Sequence, residues 1–222
     1  MSYRQASAAA LAEPGEVPYA PCVTSIVLIY HLASRLAYVL YVGLTLRRQE
    51  RTGSVARRYG AEAGFRRFRR AAFLLMSNDA VSFVALCLVS RRTLGAGQPS
   101  AAAIGVGVLL LLVGSATKLW AAVTLGSDAY YWRNFFTPTG PVAPATTGPY
   151  RFLRNPMYTV GYLQTYGLAL LVGSRFGLIM ALFDQAAILV FYRRVEKPHF
   201  DKLDRQARTA QNQASPIRSH DP

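Results

Sequence analysis

Charged residues are scarce in this 222-residue chain. Only 16% of the residues are Asp, Glu, Lys or Arg, whereas 52% are hydrophobic, and the mean hydropathy is positive. This balance is more apolar than that of an ordinary soluble domain, and the apolar residues stand in long runs. The length accommodates one domain or two very small ones, and the composition predicts that the surrounding solvent is a lipid bilayer.

Cysteine is almost absent. Cys22 and Cys87 lie far apart, and the sequence contains no Cys-x-x-Cys or Cys/His spacing. A disulfide framework and a zinc site are therefore not indicated, and no metal site is predicted. The N-terminal segment also lacks a basic stretch followed directly by an apolar core and a cleavage site, so we do not expect a signal peptide there.

Acidic residues are few compared with basic ones. Eleven Asp and Glu face 25 Lys and Arg, which gives a formal net charge of +14. Such a charge can indicate nucleic-acid binding. The basic residues, however, stand beside the apolar runs, where membrane topology already requires them, so no nucleic-acid partner is predicted.

Long apolar runs are what the sequence has in abundance. A spanning helix needs roughly 20 mostly apolar residues. Three candidates cover residues 23–46, 71–90 and 101–125, and the apolar region 157–192 is broken at residues 173–175, which predicts a tight pair of short spans. The predicted fold is all-α: a polytopic integral membrane helical bundle of about five transmembrane helices with a C-terminal helical hairpin.

The basic residues predict the orientation of this bundle. Nine arginines lie within residues 47–70, and six Lys or Arg lie within residues 193–208. With five spans these segments fall on one side, which the positive-inside rule assigns to the cytosol. The N-terminus is then outside, whereas the C-terminus and the polar stretch 126–156 are inside. The membrane is the cytoplasmic membrane in a bacterium or the endoplasmic reticulum in a eukaryote.

The chain divides into three predicted parts. Residues 1–22 form an irregular lead-in, and residues 23–204 form the membrane-embedded domain. Residues 205–222 are polar and rich in Gln, Ser and Ala. A segment of that composition cannot bury enough apolar surface to fold, so it is predicted to be disordered.

The chemically informative segment is Gly148–Tyr158, GPYRFLRNPMY, where a cytosolic loop enters the fourth span. Gly-Pro makes a turn, and Pro156 suits the first position of a helix, where its missing N–H costs nothing. The free amides of a helix start can hold an anion, and Arg154 can grip a carboxylate with its bidentate fork. By composition alone, a turn with topogenic arginines explains the segment equally well.

The string GPYRFLRNPMYTVGY resembles the signature of the isoprenylcysteine carboxyl methyltransferase and phospholipid methyltransferase superfamily. That signature reads Gly-Pro-Tyr, then Arg-His/Asn-Pro-x-Tyr, followed by a helical hairpin and a segment containing Glu. Residues 193–200, RRVEKPHF, match the later segment, and residues 125–136, LGSDAYYWRNFF, resemble the aromatic loop before the signature. The resemblance covers roughly the C-terminal half of the chain.

This resemblance implies a membrane-embedded methyltransferase that binds S-adenosylmethionine in a cytosol-facing pocket and takes its acceptor from the bilayer. It assigns catalytic roles to Arg154 and Glu196, with Glu196 bonding the cofactor's ammonium or ribose hydroxyls. The residues implied to contact the cofactor are Tyr150, Arg154, Asn155, Pro156, Tyr158, Glu196 and Tyr131. The rings of Tyr130, Tyr131, Trp132 and Phe135 can face the sulfonium through cation–π attraction, although any one of them equally fits an interfacial aromatic belt.

The acceptor is left open among an isoprenylcysteine carboxylate, a phospholipid amine and a thiol. An acceptor amine needs a base, for which His199 is the candidate. One alternative is an NADPH-dependent membrane reductase of the sterol or steroid type, which shares a similar Arg-x-Pro-x-Tyr element. Another is a divergent non-catalytic membrane protein, because Lys197 stands where many members have a second Glu and the usual Phe-Gly continuation is missing after Phe200. The oligomeric state is also left open.

Several polar residues fall inside or beside the apolar runs. They are His31, Arg35, Asn78, Asp79, Lys118, Asp184 and Gln185. An unpaired charge is costly in lipid, so Arg35 or Lys118 is predicted to pair with Asp79 or Asp184, or to extend toward an interface.

Overall fold

The computed structural model describes residues 21–95, 99–137 and 147–214, and the regular structure in these ranges is helical. The α-helical segments are α1 (Pro21–Thr52), α2 (Ser54–Tyr59), α3 (Ala61–Val89), α4 (Ala101–Tyr130), α5 (Leu163–Leu171), α6 (Arg175–Phe191) and α7 (Lys197–Ala214). A π-helical turn, Tyr192–Glu196, joins α6 and α7 into one continuous helix, which leaves six separate helices. The predicted lead-in, residues 1–22, lies outside the described residues except for its last two, which begin α1.

In the described part of the chain, four helices are long and apolar enough to cross a membrane. They cover Cys22–Thr52, Ala61–Val89, Ala101–Phe135 and Arg175–Thr209. Their outer faces carry large apolar side chains, including Ile29, Leu74, Leu119 and Leu182, each at least 64% exposed. Apolar exposure on this scale suits a lipid environment rather than water. The all-α class and the multi-pass membrane character predicted from the sequence are confirmed.

The first basic segment is more ordered than a topogenic loop. It forms α2 and the first turns of α3, which begins ten residues before the predicted span. The cause is visible at Phe65 and Phe68, which lie among the arginines, are 2% exposed, and pack against Phe136 with ring centroids 5.7 and 5.2 Å apart. One apolar face therefore holds this basic helix against the core.

Helices α4 and α5 approach so closely that only glycine fits between them. A Cβ atom on Gly114 would lie 2.2 Å from the Gln164 backbone nitrogen, and one on Gly167 would lie 2.4 Å from that of Leu111. Small residues at such contacts let backbones pack closely in membranes, where burial of apolar side chains supplies little driving force. Among the described helices, α4 and α5 accordingly have the most extensive contact.

Helices α5 and α6 form the predicted C-terminal hairpin. Gly173 turns the chain with a φ of 64°, and the Ser174 hydroxyl caps α6 by accepting from the Gly177 N–H at 2.8 Å. The tip is tied to the segment after α3, because the Arg92 and Leu94 amides donate to the Val172 and Gly173 carbonyls at 2.9 and 2.8 Å. The hairpin tip and the end of α3 therefore lie at the same end of the bundle.

The predicted pairing of intramembrane charges is confirmed. The guanidinium of Arg35 bonds Asp79 at 2.7 Å and Asp184 at 2.9 Å, and all three side chains are at most 8% exposed. His31 contributes a further contact to Asp184 at 3.2 Å and a hydrogen bond to Ser82 at 2.8 Å. This polar cluster ties α1, α3 and α6 together.

The C-terminal segment differs from the prediction of disorder from residue 205. Helix α7 continues to Ala214, and residues 215–222 lie outside the described residues. The helix is supported by ion pairs at i,i+4 spacing, Lys197 with Asp201 at 2.6 Å and Arg208 with Asp204 at 3.0 Å. Such pairs compensate on a helix surface for a composition that lacks apolar residues.

Candidate active site

A cavity of about 1120 Å³ opens at the end of the bundle that carries the basic segments. Its walls come from the end of α4, from Gly148–Tyr158, which is called the signature segment below, and from the π-turn with the start of α7. The residues that line it include Gly126, Asp128, Tyr130, Trp132, Arg133, Asn134, Tyr150, Arg154, Asn155, Met157, Tyr158, Tyr192, Glu196 and Asp201. Three segments that are distant in sequence thus enclose one space.

The end of α4 reaches this cavity through two unusual backbone conformations. Gly126 breaks the helix with a φ of 74°, and Trp132 adopts the left-handed region at a φ of 60°. A bulky residue seldom adopts that conformation, and such strain is concentrated at functional sites. The result is that the indole of Trp132, 4% exposed, points its N–H at Glu196.

Glu196 is placed by the π-turn. A π-helical turn inserts one extra residue per turn, which rotates the residues after it relative to a regular α-helix. Here it buries the side chain of Glu196, 6% exposed, and one carboxylate oxygen, Oε1, accepts from Tyr158 Oη at 2.6 Å and Trp132 Nε1 at 2.5 Å. The second oxygen, Oε2, receives no hydrogen bond from the described residues, so it is available to a ligand.

The signature segment is shaped by Asn155 and Pro156. The Asn155 side chain accepts from the Tyr158 backbone N–H at 3.2 Å, and the Pro156 carbonyl accepts from Gly161 at 2.8 Å. Pro156 is fully buried and is not among the residues that line the cavity. The predicted helix start at Pro156 is wrong in detail: the chain makes 3₁₀ turns first, and α5 begins at Leu163.

Arg154 and Tyr150 present their polar groups to the cavity. Arg154 is exposed and makes no ion pair within the described ranges, so its guanidinium can bind an anion. Burial raises the pKa of Tyr150, and the nearby Glu196 carboxylate raises it further. The Tyr150 hydroxyl therefore stays protonated at neutral pH and can donate a hydrogen bond.

The structure brings most of the predicted site residues together. Tyr150, Arg154, Asn155, Tyr158 and Glu196 line the same cavity, whereas Pro156 is buried and does not line it. Their roles toward a ligand stay predictions.

Tyr131 is a second predicted cofactor contact that lies away from the cavity. It does not line the cavity; its ring meets Tyr130 edge-on, with centroids 5.0 Å apart, and lies 5.2 Å from the Arg69 guanidinium. Phe135 also turns away and stacks on His199 with centroids 3.6 Å apart, while His199 contacts Glu50 at 3.2 Å. His199 is thus a packing residue and is not in the cavity wall, which argues against the role of base.

Sequence reasoning missed the ionic cluster beside the cavity. Arg133 bonds Asp128 and, at 2.6 Å, Glu62, and Asp128 also bonds Arg69 at 3.1 Å. This cluster ties the start of α3 to the end of α4. The arginines of residues 61–70 indicate membrane topology. Nothing in the local sequence pattern distinguishes Arg69, which also forms an ion pair, from its neighbours.

Comparison with known proteins adds an independent finding. The sequence model of the phospholipid methyltransferase family matches residues 102–206. This range holds α4, the signature segment, the hairpin and the π-turn, so it contains every wall of the cavity.

Individual relatives carry a consistent name. Phosphatidylethanolamine N-methyltransferase of Clavispora lusitaniae is 31% identical over 144 residues, which is 61% of this chain and 17% of the relative. The protein of that name from Botryotinia fuckeliana is 28% identical over 198 residues, 84% of this chain and 20% of the relative. The one from Podospora anserina is 34% identical over 100 residues, 45% and 10% respectively. The chain therefore spans a fifth or less of these relatives, and no solved structure matches it significantly.

Proposed function

The chain belongs to the phospholipid methyltransferase family through residues 102–206, and we propose that it transfers a methyl group from S-adenosylmethionine to the amine of a membrane phospholipid. The observation that carries the proposal is that Arg154 and Glu196, 42 positions apart in sequence, line one cavity at the end of the bundle that carries the basic segments. The acceptor class follows the names of the relatives, which act on phosphatidylethanolamine.

The cavity fits the chemistry of the cofactor. Ligand pockets typically have volumes of about 300–1,000 Å³, and this one, about 1120 Å³, has room for an adenosine with an amino-acid arm. The guanidinium of Arg154 can donate two hydrogen bonds to the carboxylate of the cofactor. Oε2 of Glu196 can accept a hydrogen bond from the ammonium or from the ribose hydroxyls. The rings of Tyr130 and Trp132 face the space where a sulfonium would lie.

The chain's own part in the reaction is positioning. When bound, S-adenosylmethionine would supply its methyl group to the neutral form of the acceptor amine: the N–C bond would form as the C–S bond breaks, and the positive charge would pass from sulfur to nitrogen. The proton that an ammonium acceptor loses beforehand would pass to water. Trp132 and Tyr158 hold Glu196 in one rotamer, so the cofactor site is organised before binding. Methyl transfer requires in-line alignment and exclusion of water, and such alignment contributes a large part of the rate.

We also propose that residues 157–171 make a fifth membrane crossing. Tyr158 bonds Glu196 at one end of α6, and Val172 bonds Arg92 at the opposite end, so the segment covers the same depth as the 17 residues of α6, about 25 Å. The five crossings form one catalytic unit, residues 23–204. Its basic segments and cavity face the cytosol.

Labelling with a membrane-impermeant thiol reagent tests this topology. In a Cys22→Ser background, Arg175→Cys is expected to react only from the outside and Arg205→Cys only from the cytosolic side. Reaction of Arg175→Cys from the cytosolic side and of Arg205→Cys from the outside would mean that 157–171 does not cross and that α6 runs the other way.

Calorimetric titration of detergent-purified protein tests the cofactor. We expect S-adenosylmethionine to bind and NADPH not to bind, because the cavity lacks a cluster of unpaired cations for the phosphates of NADPH. Of the three cations in its lining, Arg133 pairs with Asp128 and Glu62 and Lys197 pairs with Asp201, whereas Arg154 makes no ion pair in the described part of the chain. Binding of NADPH alone would favour the reductase, and binding of neither would favour a non-catalytic protein.

Transfer of labelled methyl groups in lipid nanodiscs tests the acceptor. Phosphatidylethanolamine is expected to become labelled, whereas an isoprenylcysteine or a small thiol in the same nanodiscs is not.

A further inference from the structure

A second cavity, of about 270 Å³, lies deeper in the bundle and is called the inner cavity below. The larger cavity of the candidate active site is called the cofactor cavity. The wall of the inner cavity toward the cofactor cavity is made of Tyr130, Trp132, Met157 and Tyr158, because these four residues line both spaces. At this volume the inner cavity is too small for a nucleoside cofactor, but it has room for a small polar headgroup. The two cavities therefore adjoin one another.

One charged side chain in the wall of the inner cavity has an oxygen without a hydrogen-bond partner among the described residues. Asp79, whose side chain is 8% exposed, gives its Oδ2 to Arg35 at 2.7 Å, but its buried Oδ1 has no hydrogen-bond partner among the described residues. Such an unpaired buried oxygen costs free energy until a donor arrives.

Lys118 lines the same cavity from the other side. Its Nζ lies 5.7 Å from the centre of the Tyr162 ring and is in no ion pair within the described part of the chain. Arg35 also lines the cavity but is bound to Asp79 and Asp184, so the groups left for an occupant are the free oxygen of Asp79 and the ammonium of Lys118.

The cavity is reached from the lipid. Helix α3 packs on α1 and α4 packs on α5, whereas α3 and α4 hardly touch each other within the described ranges. Ala80 and Val84, exposed on α3, and Leu111 on α4 stand at this cleft and also line the cavity. An apolar cleft of this kind admits acyl chains while the polar end of the same molecule lies inside.

We propose that the inner cavity binds the zwitterionic headgroup of a phospholipid acceptor, with the amine on Asp79 Oδ1 and the phosphate at Lys118. The inference rests on the proposed function and adds the residues that select the acceptor. A zwitterion matches the two opposite charges, and its nitrogen would lie on the side of Tyr130 and Tyr158, where the inner cavity adjoins the space of the methyl donor. Asp184 also pairs with Arg35, but it does not line the cavity, so its role is structural.

Binding of short-chain lipids to the detergent-solubilised full chain tests this assignment. Dihexanoyl phosphatidylethanolamine and dihexanoyl phosphatidylglycerol are compared, because only the first carries an amine. The parent protein is expected to prefer phosphatidylethanolamine. Asp79→Asn should weaken its binding about tenfold and leave phosphatidylglycerol unchanged, whereas Lys118→Met should weaken both.

Asp184→Asn is the matched control, since it removes the other carboxylate charge that faces Arg35. We expect it to leave both lipid affinities within about twofold. The affinity of Asp79→Asn for S-adenosylmethionine should equal that of the parent, which establishes that the variant is folded. Equal losses in Asp79→Asn and Asp184→Asn, or no headgroup preference in the parent, would overturn the assignment.

Kinetics separate this inference from the proposed function. Asp79→Asn is expected to raise the KM for phosphatidylethanolamine about tenfold with little change in the KM for S-adenosylmethionine. A parent protein that methylates no lipid would overturn the proposed function. A parent that methylates phosphatidylethanolamine, with Asp79→Asn and Asp184→Asn equally affected, would overturn only the assignment of Asp79.

Discussion

Arg154→Ala is expected to lower the affinity for S-adenosylmethionine by at least about tenfold, because a charge-assisted bidentate hydrogen bond to the cofactor's carboxylate is lost. The side chain is exposed and makes no ion pair in the described part of the chain, so its removal should leave the fold intact. Calorimetric titration of the parent and the variant measures the change. Arg151→Ala is the matched control: it is an exposed arginine in the same segment that does not line the cavity, and its affinity should not change.

A cofactor analogue tests the assigned contact itself. Decarboxylated S-adenosylmethionine lacks only the carboxylate, so the parent should bind it more weakly than the complete cofactor. Arg154→Ala should bind the two compounds with nearly equal affinity, because the partner of the carboxylate is gone. If the variant discriminates between them as strongly as the parent does, Arg154 does not hold the carboxylate.

Glu196→Gln tests the second contact assigned to the cofactor, the one to its ammonium or ribose hydroxyls. The amide keeps an oxygen that accepts from Trp132 and Tyr158, so the local structure should persist while the negative charge disappears. Affinity for the cofactor should again fall about tenfold or more. An unchanged affinity would mean that Oε2 faces no donor of the bound cofactor.

Much of the fold was predictable because the bilayer imposes a simple rule. Three apolar runs and a broken fourth region gave the long helices and the hairpin directly. The start of α3 was not predictable from hydropathy, since its first ten residues are basic and only Phe65 and Phe68 bind it to the core. The continuation of α7 beyond residue 205 was not predicted for a related reason. Two i,i+4 ion pairs support this helix, and a prediction of disorder from composition alone does not consider the spacing of charges.

The sequence predicted most of the residues that line the candidate site, but it did not predict the backbone conformations that orient them. The resemblance named five residues that do line one cavity, but it also named Tyr131, whereas its neighbour Trp132 is the residue that reaches Glu196. Which of two adjacent aromatic residues faces inward depends on the break at Gly126 and the left-handed conformation of Trp132. The π-turn before Glu196 is of the same kind, because it arises from tertiary packing rather than from a local sequence signal.

Arg35→Met is expected to destabilise the protein by about 3–5 kcal/mol, the usual result of removing one partner from a buried ion pair. Arg35 is the shared partner of Asp79 and Asp184, so its loss leaves two carboxylates in the interior with His31 as the remaining cationic candidate among their contacts. Thermal unfolding in detergent measures the effect. Arg47→Met, an exposed arginine in the same helix, should change the stability by no more than about 0.5 kcal/mol.

A compensating variant distinguishes charge from packing. Arg35→Met combined with Asp79→Asn and Asp184→Asn removes the positive charge together with both negative ones, so much of the lost stability should return although more residues are changed. If the triple variant is less stable than Arg35→Met alone, the cluster acts through its hydrogen-bond geometry, and the network of α1, α3 and α6 tolerates no neutral replacement. Recovery would mean that the bundle needs charge balance here, and that Asp79 keeps its charge for another reason, which is the acceptor it is proposed to hold.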